Sequence, residues 1–70
     1  MPKLSVEKYA YDDVWVVREN GLHWQDRNGN YKKFSRRQDA VKRAKKEAKA
    51  RNGELWVYKS SGALDYKDDF

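Results

Sequence analysis

Phe34-Ser35-Arg36-Arg37-Gln38-Asp39-Ala40-Val41-Lys42-Arg43-Ala44-Lys45-Lys46-Glu47-Ala48-Lys49-Ala50-Arg51-Asn52-Gly53 is the one stretch of this chain with a sustained helical period. At about 100° per residue, Ala40, Ala44 and Ala48 stack on one face with Val41 beside them. Side chains this small let a helix axis lie close on a sheet. Ser35, with Gln38 three residues later, has the spacing of a capping box, in which the serine oxygen accepts an N–H of the first turn. Asn52-Gly53 supplies the stop, because both residue types tolerate the left-handed conformation that ends many helices. The opposite face carries Lys42, Lys46 and Lys49, flanked by Arg43 and Lys45.

Short aromatic-rich segments flank the helix on both sides. Val14-Trp15-Val16-Val17-Arg18 has the β-branched and aromatic content of a strand with two apolar faces. Asn20-Gly21 is a type I′ hairpin signal. Beyond it, Leu22 and Trp24 alternate with His23, Gln25 and Arg27. A second signal, Asn28-Gly29, leads into Tyr31-Lys32-Lys33-Phe34. After the helix, Glu54-Leu55-Trp56-Val57-Tyr58 alternates again, with Leu55 and Val57 expected toward the helix and Trp56 and Tyr58 away from it. Ser60-Ser61-Gly62 turns the chain into a last strand near Ala63-Leu64-Asp65-Tyr66. The order β-β-β-α-β-β predicts an α+β domain of two layers: one antiparallel sheet of four to five short strands with a single helix on one face. Residues 14–66 form the expected domain. Residues 1–13 read as an arm or an edge strand, and residues 67–70 as a frayed end.

Seventy residues make one small domain, which buries only roughly 60% of the surface its unfolded chain exposes. There is no cysteine, so neither a disulfide nor a cysteine-based zinc site can staple it. Three Trp, five Tyr and two Phe must supply much of the buried area. No apolar run approaches the roughly 20 residues of a membrane span, and no signal-peptide core is present. The expectation is a soluble cytoplasmic protein with no membrane contact.

Net charge is +5, and it is unevenly placed. Residues 36–51 hold eight basic and two acidic side chains, for +6; the remainder sums to −1. A basic stripe of this kind attracts polyanions. It also keeps a small domain soluble. Arg36 and Arg37 stand in the first helical turn, where cations oppose the macrodipole, so a phosphate held by the helix N-terminus and two guanidinium groups is one way to account for them. Pairing with Asp39, Glu54 or an acidic loop is the other.

The outward sheet face supplies a second candidate surface. Trp56 and Tyr58, with Trp15 if it points the same way, would form either a base-stacking platform, a face covered by residues 1–13, or the interface of a homodimer. Catalysis is not expected. His23 is the only histidine, Ser5, Ser35, Ser60 and Ser61 have no base partner in view, and Asp12-Asp13 and Asp68-Asp69 lack any framing motif. No metal or cofactor is implied.

Three stretches carry a resemblance: Trp15-Val16-Val17 with Gly21 and Trp24; Phe34-Ser35 leading to Ala40, Ala44 and Ala48; and Gly53-Glu54-Leu55-Trp56-Val57-Tyr58 followed by Gly62. They resemble a family of small bacterial and phage domains of unknown function, over roughly Val14 to Leu64. The resemblance implies the same fold and a bacterial, phage or prophage origin, and it carries no catalytic residues. Phe34-Ser35-Arg36-Arg37-Gln38-Asp39-Ala40 also looks like the strand-to-helix junction of the arm-type DNA-binding domains of tyrosine recombinases, whose three-stranded sheet enters the major groove. The reading that follows is a nucleic-acid-binding module, more for DNA than RNA, using Arg36, Arg37, Lys42, Arg43, Lys45, Lys46 and Lys49 with Lys32 and Lys33 of the adjoining strand. The alternative is a module that docks on an acidic host protein.

Overall fold

A computed structural model describes all 70 residues. Its elements are β1 (Lys3–Lys8), β2 (Trp15–Glu19), β3 (Leu22–His23), β4 (Lys33–Phe34), α1 (Arg37–Ala50), β5 (Glu54–Tyr58) and β6 (Leu64–Asp69). The class is α+β, with one helix packed on one sheet. The sheet has six strands in the order β3-β2-β1-β5-β6, and β4 pairs with β2 on the same edge as β3.

Two features of this sheet depart from the sequence expectation. It is mixed, because β1 runs parallel to β5, with Leu4 opposite Leu55 and Val6 opposite Val57. A parallel pair needs a long crossover, and α1 is part of it. Residues 1–13 are also neither arm nor edge, since β1 is the central strand and pairs antiparallel with β2 on its other side. Its Leu4 and Val6 are fully buried. The start of the chain is held at two points: Glu54 N–H donates to Pro2 O at 2.8 Å, and Asn20 N–H to Lys3 O at 2.8 Å.

The core is one cluster between helix and sheet: Leu4, Val6, Val17, Leu55 and Val57 from the strands against Ala40, Ala44 and Ala48 from α1. Trp15, Trp24, Phe34, Val41 and Phe70 close its rim. The alanine stripe and the inward pair Leu55 and Val57 lie where the sequence periodicity places them.

The helix ends are less symmetrical than the sequence suggests. Ser35 does not cap it. Arg36 occupies the cap position in extended conformation (φ −126°, ψ 141°), with no side chain accepting from the first turn. Asp39, in that first turn, supplies the negative charge the dipole favours. At the other end, Asn52 takes the left-handed conformation (φ 52°). Gly53 N–H then donates to Ala48 O at 2.8 Å and Asn52 N–H to Lys49 O at 3.4 Å, the paired bonds of a Schellman ending.

Both hairpin signals produce turns. Asn20 (φ 52°) and Gly21 (φ 88°) join Glu19 to its partner Leu22 in two residues. Asp26 to Gly29 forms the second, with Gly29 at φ 82° and the Asp26 carboxylate accepting from the N–H groups of Asn28 and Asn30. The strand expected over 22–27 shrinks to Leu22–His23, because the chain leaves β2 to make this excursion and returns at Lys33. Leu22, at a hairpin tip, stays 76% exposed. The C-terminus is not frayed: β6 runs to Asp69, and Phe70 N–H donates to Gly53 O at 3.0 Å.

Candidate nucleic-acid interface

Burial of Ala40, Ala44 and Ala48 fixes the rotation of α1, and so decides which side chains meet solvent. Lys42, Arg43, Lys45, Lys46 and Lys49 are exposed. None of the five makes an ion pair. The seven ion pairs in the molecule engage Lys8, Arg18, Arg36, Arg37, Arg51 and Lys67 instead. From Lys42 to Lys49 the helix advances about 10 Å, which is about three phosphate steps along one strand of nucleic acid. Lys49 Nζ sits 5.7 Å from the centroid of the Phe70 ring, a contact that leaves its charge uncompensated.

Arg36 and Arg37 are placed differently. Arg36 Nε donates to Asp39 Oδ2 at 3.1 Å, and Arg37 reaches across to the Asp65 carboxylate of β6. Arg37 also lies 6.0 Å from the Trp15 ring centroid. Two guanidinium groups already held by carboxylates are not an open phosphate cradle. Each has a carboxylate neighbour, unlike the five free cations of the helix face.

Lys32 and Lys33 flank the return into β4. Lys33 faces the side of the sheet away from the helix, where its Nζ lies 5.5 Å from the Tyr9 ring centroid. Lys32 N–H donates to Trp24 O at 2.8 Å, and Trp24 N–H to Val17 O at 2.9 Å, so Trp24 and Lys32 are fixed side by side at the base of the excursion.

Between that base and the second half of α1 lies a groove of about 580 Å3. Trp24 and Lys32 line it from the strand side, and Arg43, Lys46 and Glu47 from the helix. Glu19 and Arg51 close one end and neutralise each other at 2.8 Å. Glu19 also accepts the Trp24 indole N–H at 3.3 Å. The Arg51 guanidinium, helped by that indole N–H and opposed by burial, holds the Glu19 carboxyl below the usual carboxylate range. With that pair cancelled, three cations face one carboxylate, Glu47. Sequence reading placed Trp24 on a strand face and missed its part in the groove. The signal present in the chain was a Trp and a Lys at the two ends of a tight Asp-x-Asn-Gly excursion.

The opposite sheet face is not covered by residues 1–13, because β1 lies within the sheet itself. Trp15 points to the helix side and packs on the core rim, apart from Trp56 and Tyr58. Lys3 and Lys67, from the strands on either side of β5, place their ammonium groups 4.2 Å and 5.0 Å from the Trp56 centroid. Around them run the ion pairs Arg18–Glu7 at 3.7 Å and Lys67–Glu54 at 3.2 Å. The Trp56 ring is thus flanked by two lysines and bordered by ion pairs. His23 is stacked on Tyr31 at 4.1 Å with 13° between the planes, and Tyr9 meets Tyr31 edge-on.

No group of three or more His, Cys, Asp or Glu side chains is placed to hold a metal ion. No helix is long and apolar enough to cross a membrane. Searches against models of known protein families, against characterised proteins and against solved structures give no match.

Proposed function

We propose that this protein binds nucleic acid through the solvent face of α1, largely by phosphate contacts and with weak sequence preference. One observation carries the reading: Lys42, Arg43, Lys45, Lys46 and Lys49 share one exposed face and have no carboxylate partner. Elsewhere on the surface most cations are spent on ion pairs. Uncompensated charge aligned along a rigid rod is what releases condensed counterions from a polyanion.

The test is a fluorescence-anisotropy titration of labelled oligonucleotides at several salt concentrations. Four to five phosphate contacts predict a slope of log K against log[salt] of about −3 to −4. Replacing Lys42, Lys45, Lys46 or Lys49 singly by Gln should each lower the slope magnitude by about one. Arg36→Gln should leave the slope unchanged, because Arg36 is paired with Asp39. Binding that is absent at low salt, or that ignores these lysines, overturns the reading and puts docking on an acidic host protein in its place.

A further inference from the structure

We infer that the groove beside Trp24 takes an unpaired nucleotide, so that the protein prefers single-stranded to duplex nucleic acid. The inference rests on the nucleic-acid reading above and names the form of ligand that this surface selects.

Three observations converge on it. The first is size. At about 580 Å3 the groove falls in the range of small-ligand sites, about 300–1,000 Å3. That is room for a nucleotide, whereas a base inside a duplex reaches such a site only by leaving its stack.

The second is the company Trp24 keeps. Of the three tryptophans, Trp15 is packed on the core rim beneath Arg37 and Trp56 is flanked by Lys3 and Lys67. Trp24 lines a concave surface with unpaired cations on both walls, Lys32 on one and Arg43 and Lys46 on the other. An aromatic floor beneath a positively charged channel is the arrangement that holds single strands, with the bases on the ring and the backbone along the cations.

The third is preorganisation. The Trp24 backbone is bonded on both sides, to Val17 and Lys32, and its indole N–H is held by Glu19, which Arg51 holds in turn. The ring therefore need not be ordered on binding. Glu47 is the one unpaired carboxylate in the walls, and it sets a ceiling on affinity that can be measured.

The experiment compares a labelled oligothymidine with a duplex hairpin of equal length at equal salt. The wild type should bind the single strand more tightly. Trp24→Ala should weaken single-strand binding by about 5- to 150-fold, the range for loss of one stacked base, and change duplex binding much less. Glu47→Gln should tighten single-strand binding several-fold. Trp24 also packs on the core, so a variant that keeps it is needed: in Trp15→Phe/Trp56→Phe, Trp24 is the only tryptophan, and saturating oligothymidine should quench its fluorescence. Equal affinity for both forms with unchanged Trp24 emission would overturn the inference and leave the phosphate reading standing. Absence of salt-dependent binding to either form would overturn both.

Discussion

Asn52 and Gly53 show how two adjacent turn residues can be required for different reasons. Asn52 carries the left-handed conformation at φ 52°, whereas Gly53 has no such φ. What Gly53 meets is the start of the chain: a Cβ built there would lie 2.5 Å from Pro2 O and 2.8 Å from Pro2 Cγ. The backbone oxygen cannot swing aside, and it also accepts from Glu54. Gly53→Ala should therefore destabilise by about 1–3 kcal/mol in denaturant melts, as overpacking does. Asn52→Gly should be close to neutral, since glycine takes a positive φ without strain. Glu19 gives a prediction in pH. Its carboxyl is held low, chiefly by Arg51, so its contribution is complete above the unfolded value of about 4.3 and is lost as pH falls through the lower folded value. Glu19→Gln should lower the melting temperature at neutral pH and flatten the acid limb below about pH 4 relative to wild type. Parallel curves for the two proteins would show that the Arg51 pair adds nothing.

At the scale of elements, β1 is the test of the architecture. As an arm it would tolerate truncation of its side chains. As the central strand, with Leu4 fully buried, it should not: Leu4→Ala should cost about 2–5 kcal/mol, read from the same melts. Much of the rest was legible locally. The alanine stripe, the alternation of β5 and the glycine turns are each written within a few residues, and those elements stand where the sequence puts them. The position of β1 is not local. It depends on Leu4 and Val6 meeting Leu55 and Val57 from some fifty residues away, and on Pro2 meeting Gly53. The fate of the helix N-terminus divides the same way. Asp39 lies three residues from Arg36 and was visible as a partner, while Asp65 reaches Arg37 only because β6 folds back along β5. The groove at Trp24 needs the rotation of α1 and the depth of the excursion together, and neither is written in one segment.

At the scale of the whole molecule, charge is sorted rather than spread. The solvent face of α1 is basic and unpaired, the far sheet face is a lattice of ion pairs, and β6 carries Asp65, Asp68 and Asp69 along an exposed edge. The acidic edge runs beside the helix, where Asp65 pairs with Arg37, so the unpaired positive charge is confined to the outer face of α1. The most direct test maps the contact itself, by recording backbone amide NMR shifts of labelled protein as a short single-stranded oligonucleotide is added at low salt. Binding through the helix face and the groove should concentrate the shifts at residues 42–49, Trp24 and Lys32, with Lys3, Trp56 and Lys67 unmoved. Shifts centred on Trp56 and its neighbouring lysines, or none anywhere, would contradict it.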